Sequence, residues 1–203
     1  MENVEVTILL LVYGGDGMGR LPDGRALFVP YTLPGERVRA RLIEEKRGHA
    51  RAELVEVLQP APQRISPRCG HFGVCGGCHY QHIAYDAQLE LKASILHDQL
   101  ERIGGIKDAP LRLAVGSPQA FNYRNHVQFH ISSEGKLGFQ AVRQNIVVPV
   151  KECHLPESAL NEIWPLLDLE PVPGVERVGL RLGSDDEVQL ILEGQEPEAL
   201  EFE

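Results

Sequence analysis

Three of the four cysteines lie within one glycine-rich stretch of ten residues, CGHFGVCGGC, which begins at Cys69 and ends at Cys78. Cys75 is the third member, and the remaining cysteine, Cys153, follows only after 74 further residues. The pattern is therefore Cys-x5-Cys-x2-Cys with one distant partner. Thiolates spaced in this way bind a metal ion or cluster, or they form disulfides.

Spacing alone leaves three interpretations of these cysteines open. Zinc accepts four thiolates, but its structural sites usually come from two close pairs. Three ligands from one loop and a fourth from far away are more typical of an iron–sulfur cluster. The glycines at positions 70, 73, 76 and 77 favour the cluster, because residues without Cβ let a loop fold tightly and aim N–H groups at sulfur. Disulfides or unligated thiols are the third interpretation, which the reducing cytosol disfavours.

Four histidines accompany the cysteines in the sequence: His71, His79, His82 and His154. A histidine can replace a thiolate as a metal ligand. Since four cysteines already complete a set of ligands, we expect the histidines to contact the ligand residues or to lie at the surface.

Length and composition indicate a globular protein of ordinary composition. The 203 residues suit one large or two small domains. The sequence has no transmembrane run, and Glu2 and Glu5 occupy the place where a signal peptide would be positive. We therefore expect a cytoplasmic, monomeric protein with no membrane association.

Charge is distributed unevenly along the chain. Residues 1–151 carry 18 basic and 15 acidic side chains, a net charge of +3, whereas residues 152–203 carry 2 basic and 14 acidic ones, a net charge of −12. RNA could approach the first part without strong repulsion. The last quarter is expected to face away from it.

The elements that must position the cysteines begin with strands. Short apolar runs separated by glycine turns predict a small OB-like β-barrel in residues 1–60. The glycine-dense stretch 13–25 is predicted to be a loop within it. Val38, Ala40 and Leu42 alternate with arginines 37, 39 and 41, which predicts one apolar and one basic strand face.

Downstream of the barrel the sequence predicts a mixed architecture. A proline-rich linker and the cysteine loop occupy residues 61–85, and a mixed α+β central domain occupies residues 86–203. Its clearest helix starts near Asp86, ends at Gly104–Gly105, and carries an apolar stripe. That stripe consists of Leu89, Ala93, Leu96, Leu100 and Ile103. The predicted fold class is thus mostly β with α+β.

One predicted strand of the central domain, YRNHVQFHI, has a polar side suited to phosphate and base contacts. Val127, Phe129 and Ile131 point one way, and the other side carries Arg124, His126, Gln128 and His130. Arg37, Arg39, Lys46 and Arg47 form the corresponding basic set of the barrel. Both sets are candidate RNA contacts. The plainer explanation of each is the solvent face of a half-buried sheet.

Four stretches together resemble a known family. Read in order, GGDGMGR, FVPYTLPGERVRA, ISPRCGHFGVCGGCHYQHIAYDAQLELK and FNYRNHVQFH are similar to the RNA uracil-5-methyltransferases, and most closely to the bacterial ribosomal RNA branch. The resemblance spans almost the whole chain. Its most specific part is the cysteine block.

The resemblance implies a set of functional parts. Residues 1–60 would be a TRAM domain, an OB-like barrel that binds RNA, and the central domain would also contact RNA. Cys69, Cys75, Cys78 and Cys153 match the ligands of a [4Fe–4S] cluster. The tRNA-directed branch generally lacks the TRAM domain and the cluster, so the implied RNA partner is 23S ribosomal RNA. In the family, S-adenosylmethionine is bound by a following methyltransferase domain that supplies a nucleophilic cysteine and a basic glutamate.

The sequence departs from the family in lacking that last domain. With four cysteines assigned to the cluster, none remains as a nucleophile. The glycines between Gly14 and Gly19 are not followed by a predicted helix, so they do not form a dinucleotide-binding site. We predict no catalytic and no S-adenosylmethionine-binding residue here, and an inactive chain that is the N-terminal part of a longer methyltransferase. The alternatives are an iron–sulfur redox or electron-transfer protein and a zinc-stabilised RNA-binding protein.

Overall fold

The computed structural model describes residues 2–167, 174–185 and 187–194, which form two compact units. The chain up to Pro67 together with His79–Gly116 forms the first unit, and Arg68–Cys78 together with the chain from Ser117 onward forms the second. The first unit contains a closed barrel in the order β1-β2-β3-β5-β4. Its strands are β1 (Asn3–Leu11), β2 (Gly17–Arg20), β3 (Ala26–Val29), β4 (Arg37–Glu45) and β5 (His49–Gln59).

The barrel core confirms the predicted alternation along β4. Val38, Ala40 and Leu42 are buried, together with Leu27 and Val29 of β3. The intervening arginines lie on the outside. A strand whose side chains alternate in this way can cover a core with one face and meet solvent with the other.

The structure corrects the prediction that residues 13–25 are a loop throughout, because β2 lies within them. A Cβ at Gly17 would come within 2.1 Å of Thr32 Oγ1, and one at Gly19 within 2.5 Å of Val6 Cγ2. These glycines therefore let β2 approach β1 closely. Glycine here serves tight packing inside a strand, which its sequence signal does not distinguish from a turn.

The long helix α1 (Tyr85–Asp98) continues into a π-helical turn (Gln99–Ile103) and ends at Gly104, as predicted. Its buried face is not the predicted stripe: Ala87 and Ile95 are buried, whereas Leu96 and Ile103 are exposed. The buried residues pack on Leu11 and Leu33 of the barrel unit. The direction of that packing determines which side of the helix is covered, and the helix belongs to the first unit.

A buried carboxylate, Glu36, organises the segment that follows the barrel. Its side chain is 0% exposed and accepts hydrogen bonds from the backbone N–H groups of Leu33 (2.9 Å) and Ala61 (3.2 Å). Arg64 completes the site, with Nη2 2.8 Å from Glu36 Oε2, and donates another bond to the Tyr31 carbonyl. Burial alone would raise the pKa of Glu36, but the hydrogen bonds from Arg64 and the two amides outweigh it and lower that pKa.

Next to Glu36, two segments of the chain are joined by backbone hydrogen bonds. Arg64 and Ile83 form an antiparallel bridge, and Ile65 N–H donates to the His82 carbonyl. The two ends of segment 66–81, which contains the cysteine loop, are thereby hydrogen-bonded together. His82 is buried beside them; burial and the Arg64 charge lower its pKa to about 4, so the imidazole is neutral at pH 7.

The second unit contains a five-stranded antiparallel sheet in the order β10-β9-β6-β7-β8. Phe129, Leu160 and Trp164 contribute to the core on one face of this sheet. The elements are β6 (His126–Ile131), β7 (Leu137–Gln140), β8 (Val147–Pro149), α2 (Ser158–Ile163), a 3₁₀ turn (Trp164–Leu166), β9 (Val175–Leu182) and β10 (Val188–Gly194).

The predicted fold class is confirmed: an N-terminal five-stranded barrel precedes an α+β region. The predicted helix over 158–169 breaks at Pro165 as expected, and positions 168–169 of that prediction lie outside the described residues. The predicted domain boundaries at 60 and 85 stay predictions; the two compact units divide at other positions. Within the described ranges, no helix has the length and apolar character needed to cross a membrane.

Replacing Arg64 with methionine is expected to destabilise the protein by about 3–5 kcal/mol at pH 7, because Glu36 would remain buried without its cation. In the wild type the pKa of Glu36 is lowered, so its contribution is present above the unfolded-state value of about 4.3 and is lost as pH falls through the folded-state value. The difference in unfolding free energy between the wild type and Arg64→Met should therefore become smaller toward pH 4. Urea unfolding followed by far-UV circular dichroism measures it.

The matched control is Arg39→Met, which removes an arginine from an exposed ion pair of the same barrel. Exposed pairs contribute at most about 1 kcal/mol. Equal losses of unfolding free energy in the two variants would contradict the role assigned to the buried pair. A loss for Arg64→Met that grows as the pH is lowered would also contradict it.

Candidate metal centre and nucleic-acid interface

The cysteine loop is built from short-range backbone turns. Phe72 N–H donates to the Cys69 carbonyl at 3.2 Å, and Cys75 N–H donates to the His71 carbonyl at 2.9 Å. Gly73 has a φ of +88°, a conformation that glycine adopts without strain. These turns fold the ten residues into a compact loop that brings its cysteines together.

Two backbone hydrogen bonds attach this loop to the segment after β7. Gly76 N–H donates to the Gln140 carbonyl at 2.9 Å, and Val142 N–H donates to the Val74 carbonyl at 3.1 Å. A Cβ at Gly76 would lie 2.8 Å from the Gln140 oxygen, so only glycine permits this approach. The glycines that suggested tight folding in the sequence thus also permit attachment to a distant strand.

Two further hydrogen bonds bring the loop to the segment that ends in Cys153. Gly70 N–H donates to Glu152 Oε1 at 2.8 Å, and Lys151 N–H donates to His71 Nε2 at 3.1 Å. The bond from Gly70 is the main reason that the pKa of Glu152 is lowered. Because Glu152 precedes Cys153 directly, these contacts place the fourth thiol beside the other three.

The four thiols influence one another electrostatically. Burial, with a smaller contribution from the three loop cysteines, raises the pKa of Cys153 to about 11. Burial also raises the pKa of Cys69 and of Cys75, with a further increase from Cys78 beside each. All four cysteines are thiols rather than disulfides in this structure. Bound cations would reverse this preference for the protonated form.

The donor set consists of four cysteine thiols from two remote segments. Among the described residues, no group of three or more His, Cys, Asp or Glu side chains is placed to hold a metal ion. N–H groups of His71 and Gly77 lie 3.4 Å from the sulfurs of Cys69 and Cys75, an arrangement that stabilises thiolate bound to iron.

The histidines near the cysteines differ in their contacts. His71 accepts the Lys151 amide, and His154 Nε2 lies 3.5 Å from a Glu152 oxygen. His82 is buried next to Arg64, and His79 lies beside the β1–β2 loop, where a Cβ at Gly15 would come within 3.3 Å of its Cβ. Two of the four thus support the loop and the strand end that carry the cysteines.

The arginines predicted as RNA contacts on the barrel are paired with carboxylates. Arg39 Nη1 lies 2.7 Å from Glu56 and its Nη2 lies 3.2 Å from Glu5. Arg37 Nη1 lies 3.6 Å from the same Glu5. The outer face of this part of the barrel is therefore a ladder of alternating charges rather than a basic surface.

The β4–β5 turn presents the other two predicted cations of the barrel. Lys46 Nζ lies 2.8 Å from Glu44 Oε1. Arg47 is exposed at the tip and has no carboxylate partner among the described residues. Of the four predicted barrel cations, Arg47 is the one whose charge is not compensated locally.

The predicted polar strand has the expected two faces. Val127 and Phe129 of β6 are buried, whereas His126 is exposed and Gln128 and His130 are half-buried on the open face of the sheet. Gln128 Nε2 donates to Glu193 Oε1 at 2.9 Å. Arg124 is exposed just before the strand, with its backbone bonded to Leu155 and Glu157.

Sequence reasoning missed two arginines that share this face. Arg181 lies opposite His126, and Arg177 lies opposite His130, where its Nη1 is 3.8 Å from Glu193. They are the two basic residues of the acidic stretch 152–203, and both lie in β9 beside β6. Part of that stretch therefore contributes to the polar face, and the expectation that it faces away from RNA stays a prediction. Alternation along VERVGLRLG could have indicated their face, but only tertiary pairing shows which strand lies beside it.

Comparison with known proteins shows what this chain is similar to. Residues 2–55 match the family model of the TRAM domain. The chain is 41% identical over 162 residues to an uncharacterized RNA methyltransferase of Aquifex aeolicus, with 80% of the chain and 38% of the relative covered. It is 38% identical over 182 residues to the 23S rRNA (uracil(1939)-C(5))-methyltransferase RlmD of Alkalilimnicola ehrlichii, with 89% of the chain and 37% of the relative covered.

Over most of its length the chain is similar to RNA methyltransferases, among them relatives named as 23S rRNA (uracil(1939)-C(5))-methyltransferases. It spans less than half the length of these curated relatives. The crystal structure of Pyrococcus abyssi tRNA (uracil-54, C5)-methyltransferase with S-adenosyl-L-homocysteine has the same fold over 95% of the chain and 47% of its own length, with a TM-score of 0.60 and 24% identity.

Changing Cys153 to serine is expected to remove most of the iron bound by the anaerobically prepared chain. The wild type should contain about four iron and four sulfide per chain if all four cysteines hold one cluster. Metal and sulfide analysis with visible absorption spectroscopy measures the loss, and Trp164 fluorescence checks that the second unit remains folded.

Val74→Ser is the matched control, because Val74 is an exposed residue of the same loop and is not a predicted ligand. It should bind as much iron as the wild type. Unchanged iron in Cys153→Ser would refute the four-cysteine assignment, and zinc without sulfide in the wild type would replace the cluster by a single ion.

Proposed function

We propose that this chain is the RNA-binding, [4Fe–4S]-carrying segment of a 23S rRNA (uracil-5-)-methyltransferase that uses S-adenosylmethionine. The observation that carries the proposal is the similarity of 89% of the chain to a relative named as a 23S rRNA methyltransferase. The match of residues 2–55 to the TRAM domain and the grouping of the four thiols support it.

In this proposal the two units supply separate RNA contacts. The open face of the second unit's sheet presents Arg181 beside His126, and Arg124 lies just before the same strand. Arg177, beside His130 on this face, is paired with Glu193 and is a weaker candidate. Cations and imidazoles on a flat surface suit phosphate contacts, which fix the position of an RNA without reading its sequence. The barrel contributes Arg47 at the exposed β4–β5 turn.

Cations that already form an ion pair with a carboxylate are weaker candidates for phosphate contacts. Arg37, Arg39 and Lys46 would have to exchange a carboxylate for a phosphate, so their net gain on RNA binding is small. Arg47 and Arg181 form no ion pair among the described residues, and Arg181 shares a polar pocket with Asp185 and Glu187. We therefore rank the sheet face and the β4–β5 turn above the ladder on β4.

The proposed role of the cluster is structural. Cys153 and the loop that begins at Cys69 are already joined by hydrogen bonds from Gly70 and Lys151. A cluster held by all four cysteines would add a cross-link between these remote segments, which restricts the unfolded chain more than the folded one. The residues of this chain would thereby hold the sheet and the loop in one fixed arrangement for RNA.

The methyl-transfer chemistry is proposed to need residues beyond these. Because all four cysteines are assigned to the cluster, none is available to attack the uracil. Extruding a base from a folded RNA costs a few kcal/mol. Contacts from the barrel and the sheet would offset that cost while the family's methyltransferase domain binds S-adenosylmethionine and carries out the reaction.

The chain by itself is expected to transfer no methyl group to 23S rRNA when supplied with tritium-labelled S-adenosylmethionine, because it offers no nucleophile. Scintillation counting of the isolated RNA measures the transfer. A full-length relative assayed in parallel shows that the RNA and the conditions are competent. Labelling of uracil C5 by this chain alone would overturn the division of roles proposed here.

Arg181→Ala is expected to weaken binding of a 23S rRNA fragment several-fold and to reduce the magnitude of the salt slope, log Kd against log salt concentration, by about one, since it removes one phosphate contact. Fluorescence anisotropy over a series of salt concentrations measures both. Arg39→Ala is the matched control and should change binding less than about two-fold, because its charge is compensated by two glutamates.

Two results would contradict this assignment. If Arg39→Ala weakens binding as much as Arg181→Ala, the barrel ladder is part of the interface and the ranking is wrong. If the wild-type chain shows no salt-dependent RNA binding, the proposed RNA-binding function is refuted.

A further inference from the structure

A groove in the first unit is not explained by the cysteine site or by the sheet face. It has a volume of about 700 Å³ and lies between the β1–β2 loop and helix α1. Tyr13 and Gly14 form one wall, and Ile95 and Leu96 form the other. The volume is in the range of sites that take a small organic group.

Two tyrosine rings line this groove, and one of them is open to solvent. Tyr13 is 81% exposed, so its ring is accessible to a ligand. Tyr80 lies deeper, where burial raises the pKa of its phenol. Gly15 of the same loop has a φ of +91°, and a Cβ placed on it would come within 3.4 Å of the Tyr80 side chain, so this loop passes close to that ring.

Polar groups of the groove are cationic or neutral. Lys92 Nζ lies 5.6 Å from the centre of the Tyr80 ring, and His79 and Gln99 line the same space. No carboxylate lines the groove in the part of the chain that the structure describes. Rings for stacking, a cation for the backbone, and an amide and an imidazole for base edges form the combination that recognises unpaired nucleotides.

We propose that this groove binds an unpaired base of single-stranded RNA. The base would stack on Tyr13, with the adjacent phosphate near Lys92. The inference rests on the proposed RNA-binding function and goes beyond it, because stacking recognises the flat face of a base whereas the sheet face recognises phosphates. A peptide segment would instead favour an aliphatic groove without a cation over a ring.

The test compares single-stranded and double-stranded RNA, because only the former offers a base for stacking. The chain is titrated into a fluorescein-labelled 12-nucleotide oligouridine and into a 12-base-pair RNA duplex, with fluorescence anisotropy as the readout. Tyr13→Ala is expected to weaken oligouridine binding about 5- to 100-fold. It should leave duplex binding within about two-fold and the salt slope unchanged, since no charge is removed.

Three further variants make the result specific. Tyr13→Phe keeps the ring and should bind oligouridine within about two-fold of the wild type. Tyr123→Ala removes an exposed tyrosine of the other unit and should have no effect. Lys92→Ala should reduce the magnitude of the salt slope for oligouridine by about 0.7, the value for one contact with a single strand.

The outcomes separate this inference from the proposed function. If the wild type binds both RNAs and Tyr13→Ala binds oligouridine as well as the wild type does, the groove is not a base site, while RNA binding stands. If Tyr13→Phe loses as much affinity as Tyr13→Ala, the hydroxyl rather than the ring is used and stacking is refuted. If the wild type binds neither RNA, the proposed function and this inference fall together.

Discussion

The candidate metal centre depends on two hydrogen bonds that join remote parts of the chain. Gly70 N–H donates to Glu152, and Lys151 N–H donates to His71, so the strand end that carries Cys153 lies against the cysteine loop. Without them the fourth thiol would have no defined place near the others. They also explain why residues 68–78 belong to the second unit although the chain on both sides belongs to the first.

A second constraint acts where the chain leaves the first unit and returns to it. The buried Glu36 holds Arg64 and the Ala61 amide, and Arg64 in turn pairs with Ile83. Buried ion pairs contribute little net stability, but breaking one is costly because a charge is left unpaired. Glu36 therefore serves to specify one path for the linker, which the exposed ladder on β4 cannot do.

The two proposed RNA-contact surfaces differ in shape and chemistry. The open sheet face is flat and carries arginines and histidines, which suits a charged backbone. The groove beside Tyr13 is concave and aromatic, which suits a base removed from its stack. A methyltransferase that acts on a base needs both kinds of contact, because the RNA must be held while a nucleotide leaves its stack.

The barrel and the two faces of β4 and β6 could be predicted from the sequence, because strand alternation and glycine turns are local signals. The cysteine ligand set rests on spacing and stays a prediction. The sequence did not reveal β2, since glycines at 17 and 19 have the same signal in a turn as in a crowded strand. The prediction of the buried side of α1 was also wrong. Leu96 and Ile95 are equally apolar, and only the position of the barrel decides which of them is covered.

Tertiary structure alone decided the features that depend on pairing across long stretches of sequence. Arg177 and Arg181 join the polar face only because β9 lies beside β6. Arg39 is compensated only because β4 lies between β1 and β5. The physical reason is the same in each case. The ion pairing and the exposure of a side chain depend on its neighbours in space, which are set by the order of the strands. No local pattern of residues specifies that order.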